Sequence, residues 1–269
     1  MRAAASMVGH TTPVAAASEP GPTVSLPAAV GAVAAGQLAR VRVARGPLLV
    51  VATVQSLGLV ILLRGIVRRH DAATAAAVVA GSTILVVAFV ALNLLAQRLG
   101  ALKASNALDY YAALPVSPVA VVLGTAASYA TFTVPGVLVT ALVGAAVYGL
   151  PMAHLWLVVP AAVTAALGLA GVGALLGLLL PRPELATIAG QLGMTAVLFL
   201  GLIPVGHLPA VIRGLRLLLP GMLSVDAVVD GLRPGTPWLD AVVRLAIAAA
   251  YGALALGLAG LAMRKAVDR

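Results

Sequence analysis

Between Asp109 and Arg182 the chain runs for 72 residues, 110 to 181, without one Asp, Glu, Lys or Arg. A soluble fold needs charged side chains to cover its core, and this run supplies none. Crossing about 30 Å of hydrocarbon takes about 20 helical residues, so the run is long enough for two crossings. The segment Tyr148-Gly-Leu-Pro-Met-Ala-His154 carries turn chemistry inside it and divides it in two. Four more uncharged stretches lie at 46–63, 72–97, 185–212 and 245–263. Only 9% of the chain is charged, against about a quarter in soluble domains, so lipid has to cover most of the surface.

These stretches place six spans near 47–65, 73–96, 118–147, 155–180, 186–205 and 239–263. They are far longer than the alternating segments, about 10 residues each, of a membrane β-barrel. The expectation is an all-α integral membrane protein, multi-pass in the cell (inner or plasma) membrane. Residues 1–26, with Pro13, Glu19, Pro20 and Pro22, read as a disordered tail, and 27–269 as one six-helix transmembrane domain. Residues 27–45 fit an amphipathic helix at the membrane interface, its arginines among headgroups, or a plain basic flank to the first span. Gly168, Gly171, Gly173 and Gly177 allow close helix packing within the subunit.

Several functions are excluded by residues that are missing. Net charge is +9, but the arginines sit scattered at span ends without aromatic interleaving, which rules against nucleic acid. No Gly-x-x-x-x-Gly-Lys-Ser/Thr occurs, so no P-loop holds ATP, and no catalytic set emerges. The four histidines are far apart and cysteine is absent, which leaves no metal site. Asp240, at the edge of the sixth span, is the one acidic residue in any span, so a proton-coupled secondary carrier has little material. That carrier and a non-transporting membrane scaffold remain the alternatives to a primary transporter. The mild polar residues inside spans serve mainly as hydrogen-bonding partners between helices. Among them Asn93, Gln191 and Thr195 are the candidates to line a path for a lipophilic or amphipathic substrate.

Two segments outside the spans carry the remaining information. In 97–118, Leu99, Leu102, Asn106, Asp109 and Ala113 recur at helical spacing, and Pro115 and Pro118 stop the helix before re-entry. This predicts a short cytoplasmic helix between the second and third spans. In 206–237, Pro209, Pro220, Pro234 and Pro237 break two amphipathic runs that are too apolar for a free loop. They predict a broken re-entrant hairpin between the fifth and sixth spans, with Val211, Leu215, Leu218 and Leu219 facing lipid or protein and Arg213 and Arg216 facing water or headgroups. Six spans return the chain to its starting side. A modest excess of positive charge favours both termini in the cytoplasm and the hairpin outside.

The span count, the run before the first span, Arg98-Leu-Gly-Ala-Leu102, Leu114-Pro-Val-Ser-Pro118 and the Pro-rich segment after Leu202-Ile-Pro204 together resemble the bacterial ABC type-2 permeases. That family includes daunorubicin-resistance drug exporters and polysaccharide exporters, and the resemblance covers roughly 27–269. It implies the membrane subunit of an exporter driven by a separate ATP-binding cassette ATPase, which holds the ATP and Mg, leaving this chain without a cofactor. It implies a second permease subunit, identical or paralogous, and membrane lipids as neighbours. The loop before the third span would press on the ATPase, so the coupling residues would be Arg98, Gly100, Lys103, Asp109, Pro115 and Ser117. Here the chain departs from relatives, with Ala101-Leu102-Lys103 and Tyr110-Tyr111 where a more charged stretch is common.

Overall fold

The computed structural model describes residues 25–40, 45–67, 71–105, 107, 116–233, 235 and 237–267. Asp109 and Pro115, and nearly all of the expected N-terminal tail, lie outside them. Among the described residues every regular element is helical. In order, with short 3-10 turns at Leu155–Leu157 and Val205–His207 left aside, these are α1 (Leu26–Arg40), α2 (Arg45–Arg64), α3 (Ala72–Val87), a π-helical stretch (Ala88–Leu94), α4 (Leu95–Ala104), α5 (Pro118–Tyr148), α6 (Val158–Leu179), α7 (Pro183–Leu202), α8 (Ala210–Leu218), α9 (Met222–Leu232) and α10 (Trp238–Val267).

Six helices are long and apolar enough to cross a membrane, with limits close to the expected ones except in the second. That one runs from Ala72 to Ala104 without interruption, 33 residues and roughly 50 Å at 1.5 Å per residue. The separate cytoplasmic helix expected after 97 is therefore, as far as Ala104, a continuation of the span. No proline falls between Ala72 and Ala104 to break it. The π-helical stretch keeps the backbone hydrogen-bonded through its middle.

This long helix is the centre of the bundle. Of its most apolar window 94% is buried, against 17% for α2 and 28% for α7. Its α3 half is enclosed by α2, α5, α7 and α9, and its lower half by α6 and α7. Glycine makes the approach possible. A Cβ on Gly81 would lie 2.9 Å from the Gly201 carbonyl oxygen, and one on Gly173 would lie 2.6 Å from the Leu92 oxygen in the π stretch. All four glycines singled out in α6 meet neighbours inside this subunit: Pro220 at Gly168, Ala255 at Gly171, the π stretch at Gly173 and Ala96 at Gly177. The α6–α10 contact is the most extensive in the fold.

Side-chain contacts sort the helix ends into two groups. The Tyr148 hydroxyl donates to the Val60 carbonyl at 3.0 Å, placing the end of α5 beside the end of α2. Trp156 meets Trp238 edge to face at 6.4 Å, which sets the start of α6 beside the start of α10. At the other end Gly260 of α10 fits under Val119, at the start of α5. α1 forms as expected and leans on α5, with Val30 and Val33 against Gly124.

Candidate functional site: the coupling end and the hairpin cavity

The 116–118 turn enters α5 through Ser117, whose Oγ accepts from the Ala120 amide at 3.2 Å, with Pro118 at the first helical position. This is standard N-cap chemistry, and it fixes the angle at which the loop meets the third span. On α4, Lys103 points at the end of α6. Its Nζ donates to the carbonyls of Leu178 at 2.8 Å and Leu180 at 3.1 Å. Those carbonyls have no intrahelical partner, and an ammonium beside them also suits the negative end of the helix dipole. Gly100, one turn earlier, is buried against the first turn of α7, where its Cβ would stand 3.2 Å from the Ala186 Cβ and 3.4 Å from the Pro183 Cα. Arg98 is half-buried on the same helix. Gly100 and Lys103 thus meet at the α6–α7 turn, and Ser117 governs the start of α5. The first two tie the end of α4 to the ends of α6 and α7, and Ser117 shapes the start of α5 by itself.

The three candidate path residues sit in different surroundings. Asn93 is buried in the π stretch, where its Oδ1 accepts from Gln97 Nε2 at 2.9 Å and Gly190 of α7 packs against it. Gln191 is exposed on the outer side of α7, and the Thr195 hydroxyl donates to its carbonyl at 2.9 Å.

At the opposite end lies a feature that sequence reading placed wrongly. Arg216 does not face water or headgroups: it is 3% exposed. Its Nη1 donates to Asp226 Oδ2 at 2.7 Å and its Nε to the Leu200 carbonyl at 3.1 Å. The reason is the turn at Leu219-Pro220-Gly221, with Gly221 at φ 97°, which lets α9 dive into the bundle and carry a buried carboxylate under α8. A buried carboxylate needs a cation and hydrogen bonds, and Arg216 supplies both. The apolar side chains Val211, Leu215 and Leu218 remain outward-facing, as expected.

One turn further along α9, Asp230 Oδ2 lies 2.9 Å from Arg244 Nε. This ion pair draws the Asp230 carboxyl toward its charged form. Burial pushes the Asp230 carboxyl above its usual range, and Asp226 raises it further against the pull of Arg244. A cavity of about 520 Å³ opens onto this cluster, walled by Ala73 and Ala77 of α3, the end of α7, and the α8–α9 hairpin. Arg213, Arg233 and His207 also line it. At its edge Asp71 caps α3 by accepting from the Thr74 amide at 3.0 Å, and the Thr74 hydroxyl holds its carboxyl below the usual range.

A family model described as ABC-2 type transporter matches residues 32–232, from α1 to the end of α9. The chain belongs to that family. No curated protein matches it. It is a multi-pass membrane permease of the ABC transporter class, a transport subunit rather than a catalytic one, in a family that works with an ATPase subunit. The matched region contains Gly100, Lys103, Ser117 and the two aspartates of α9, while Arg244 falls beyond it in α10.

Proposed function

We propose that this chain is the membrane-spanning subunit of an exporter for a lipophilic or amphipathic substrate, powered by a separate ATP-binding cassette ATPase that holds the ATP and Mg. The observation that carries the reading is the tie between Lys103 and the α6 carbonyls, with Gly100 seated on α7. A push on the 105–117 loop from the cytoplasmic side reaches the central helix, the α6–α7 turn and the start of α5 at once. Binding of ATP then shifts the bundle between inward- and outward-open states through the different affinity of the ATPase for each. Arg98, Gly100, Lys103, Asp109, Pro115 and Ser117 form or support that interface.

A second permease subunit, identical or paralogous, completes the transporter. The sparsely covered, apolar faces of α2 and α7 are available to it or to lipid. Both termini are cytoplasmic and the hairpin lies outside.

The test is Asp109→Ala in proteoliposomes holding the chain with its co-purifying ATPase, assayed for ATP turnover and for movement of a short-chain fluorescent phospholipid. Insertion and folding should be unchanged, with fewer substrate molecules moved per ATP. An unaltered ratio removes Asp109 from the coupling interface, and ATP-independent movement at the full rate removes the exporter reading altogether.

A further inference from the structure

The cavity beneath the hairpin combines an excess of positive charge with apolar walls. Four guanidinium groups line it against two carboxylates. Arg216 is committed to Asp226 and Arg244 faces Asp230. Arg213 and Arg233 are less closely matched: among the described residues neither has a carboxylate within 4.0 Å, and Arg233 reaches Asp230 only through its longer-range field. Arg213 donates from Nη2 to the Leu208 carbonyl at 3.2 Å, a neutral acceptor that leaves its charge uncompensated. His207 adds no clear excess, because Asp71 lies in its field. The volume, about 520 Å³, falls among ligand sites of roughly 300–1,000 Å³. Ile203 and Leu217, both in the wall, are 40% and 53% exposed, so the cavity mouth continues onto an apolar outer surface.

We infer that this cavity binds the anionic headgroup of an amphiphile, with a phosphate or similar oxyanion between Arg213 and Arg233 and its apolar part over Ile203 and Leu217. A guanidinium offers a planar fork of donors that matches an oxyanion two bonds at a time, which lysine cannot do. The ion pairs of Arg216 and Arg244 hold the floor in place, and the less closely matched arginines provide the affinity. Binding is a property of this chain alone. It is tested without ATP or the ATPase, so its failure leaves the coupling proposal standing.

The experiment is thermal unfolding of the purified chain in neutral detergent, alone and with phosphatidylglycerol, phosphatidylcholine or inorganic phosphate. Phosphatidylglycerol should raise the melting temperature by several degrees more than phosphatidylcholine. The double variant Arg213→Gln/Arg233→Gln should lose most of that difference, while Arg264→Gln/Lys265→Gln at the other end keeps it. If inorganic phosphate gives the same variant-sensitive shift, the site stands and its ligand is a free oxyanion rather than a lipid headgroup. Equal shifts with the two lipids, or a full phosphatidylglycerol shift in the double variant, overturn the inference. Should the double variant not survive purification, each single variant is read by native mass spectrometry. Retention of phosphatidylglycerol at the wild-type level in both singles is then the overturning result, and reduced retention in both the supporting one.

Discussion

The two ends of this bundle solve the same problem, joining helices where the chain turns, by opposite means. At the coupling end one ammonium caps a helix terminus, and a glycine lets backbone meet a neighbouring helix. At the hairpin end two carboxylates and their arginines are taken partly or wholly out of water. A cap and a van der Waals seam can shift by an ångström without stranding a charge. A buried ion pair cannot, because separating it leaves both charges in a medium that solvates them poorly. Under the proposed function, the first end is the one that moves and the second the anchor.

The contrast is broken most easily at Arg216. Replacing it with Met removes the 2.7 Å partner of Asp226 and leaves only Arg244, at 3.9 Å, and we expect a loss of about 3 kcal/mol in stability, read as a large fall in melting temperature and folded yield in detergent. The double variant Arg216→Met/Asp226→Leu should recover most of it. If Arg216→Met melts like the wild type, the hairpin is not anchored by charge. The coupling end should be gentler: Lys103→Met removes the α6 cap and should cost about 1 kcal/mol, with the melting temperature falling far less than for Arg216→Met. A fall of equal size would erase the distinction between the ends.

The smallest effect comes from Asp230. Its folded-state carboxyl is raised above the ordinary 3.8, so the folded protein binds that proton more tightly than the unfolded chain does. At neutral pH the charged group therefore costs stability. The cost is relieved as pH falls through the folded value, and the relief is complete near 3.8. The difference in stability between Asp230→Asn and the wild type should accordingly narrow on acidification, and a difference independent of pH over that window contradicts the assignment.

The spans were legible because lipid imposes a simple rule, the absence of charge over about 20 residues. The start of α5 was legible too, because Ser117-Pro118 is local chemistry. Arg216 was not. On an amphipathic helix, a cation that reaches water and one that turns inward occupy the same position in the sequence, and only α9 folding underneath decides between them. The available signal was Asp226 within the apolar run from Met222 to Val229, since an acid there needs a partner. Asp226 and Asp230 lie outside the six spans, where the rule against intramembrane charge does not mark them. The continuity of the second span was hidden for a different reason: the π stretch leaves no mark in composition, and Gly100 reads as a break until α7 is seen to occupy the space beside it.

That π stretch also sets the rotational phase of everything after it. Each α-helical residue turns the chain by about 100°, and a wide turn takes up an extra residue without adding that angle, so the lower half of the long helix keeps the phase that an α-helix one residue shorter would give it. In the phase it has, Lys103 points at the carbonyls closing α6, and Gly100 presents its bare face to α7. Deleting one residue between Ala88 and Leu94 would leave every downstream side chain chemically intact. It would also let the wide turn close to an ordinary α-turn with little change in the phase below it, so the ammonium would still face α6 and Gly100 would still face α7.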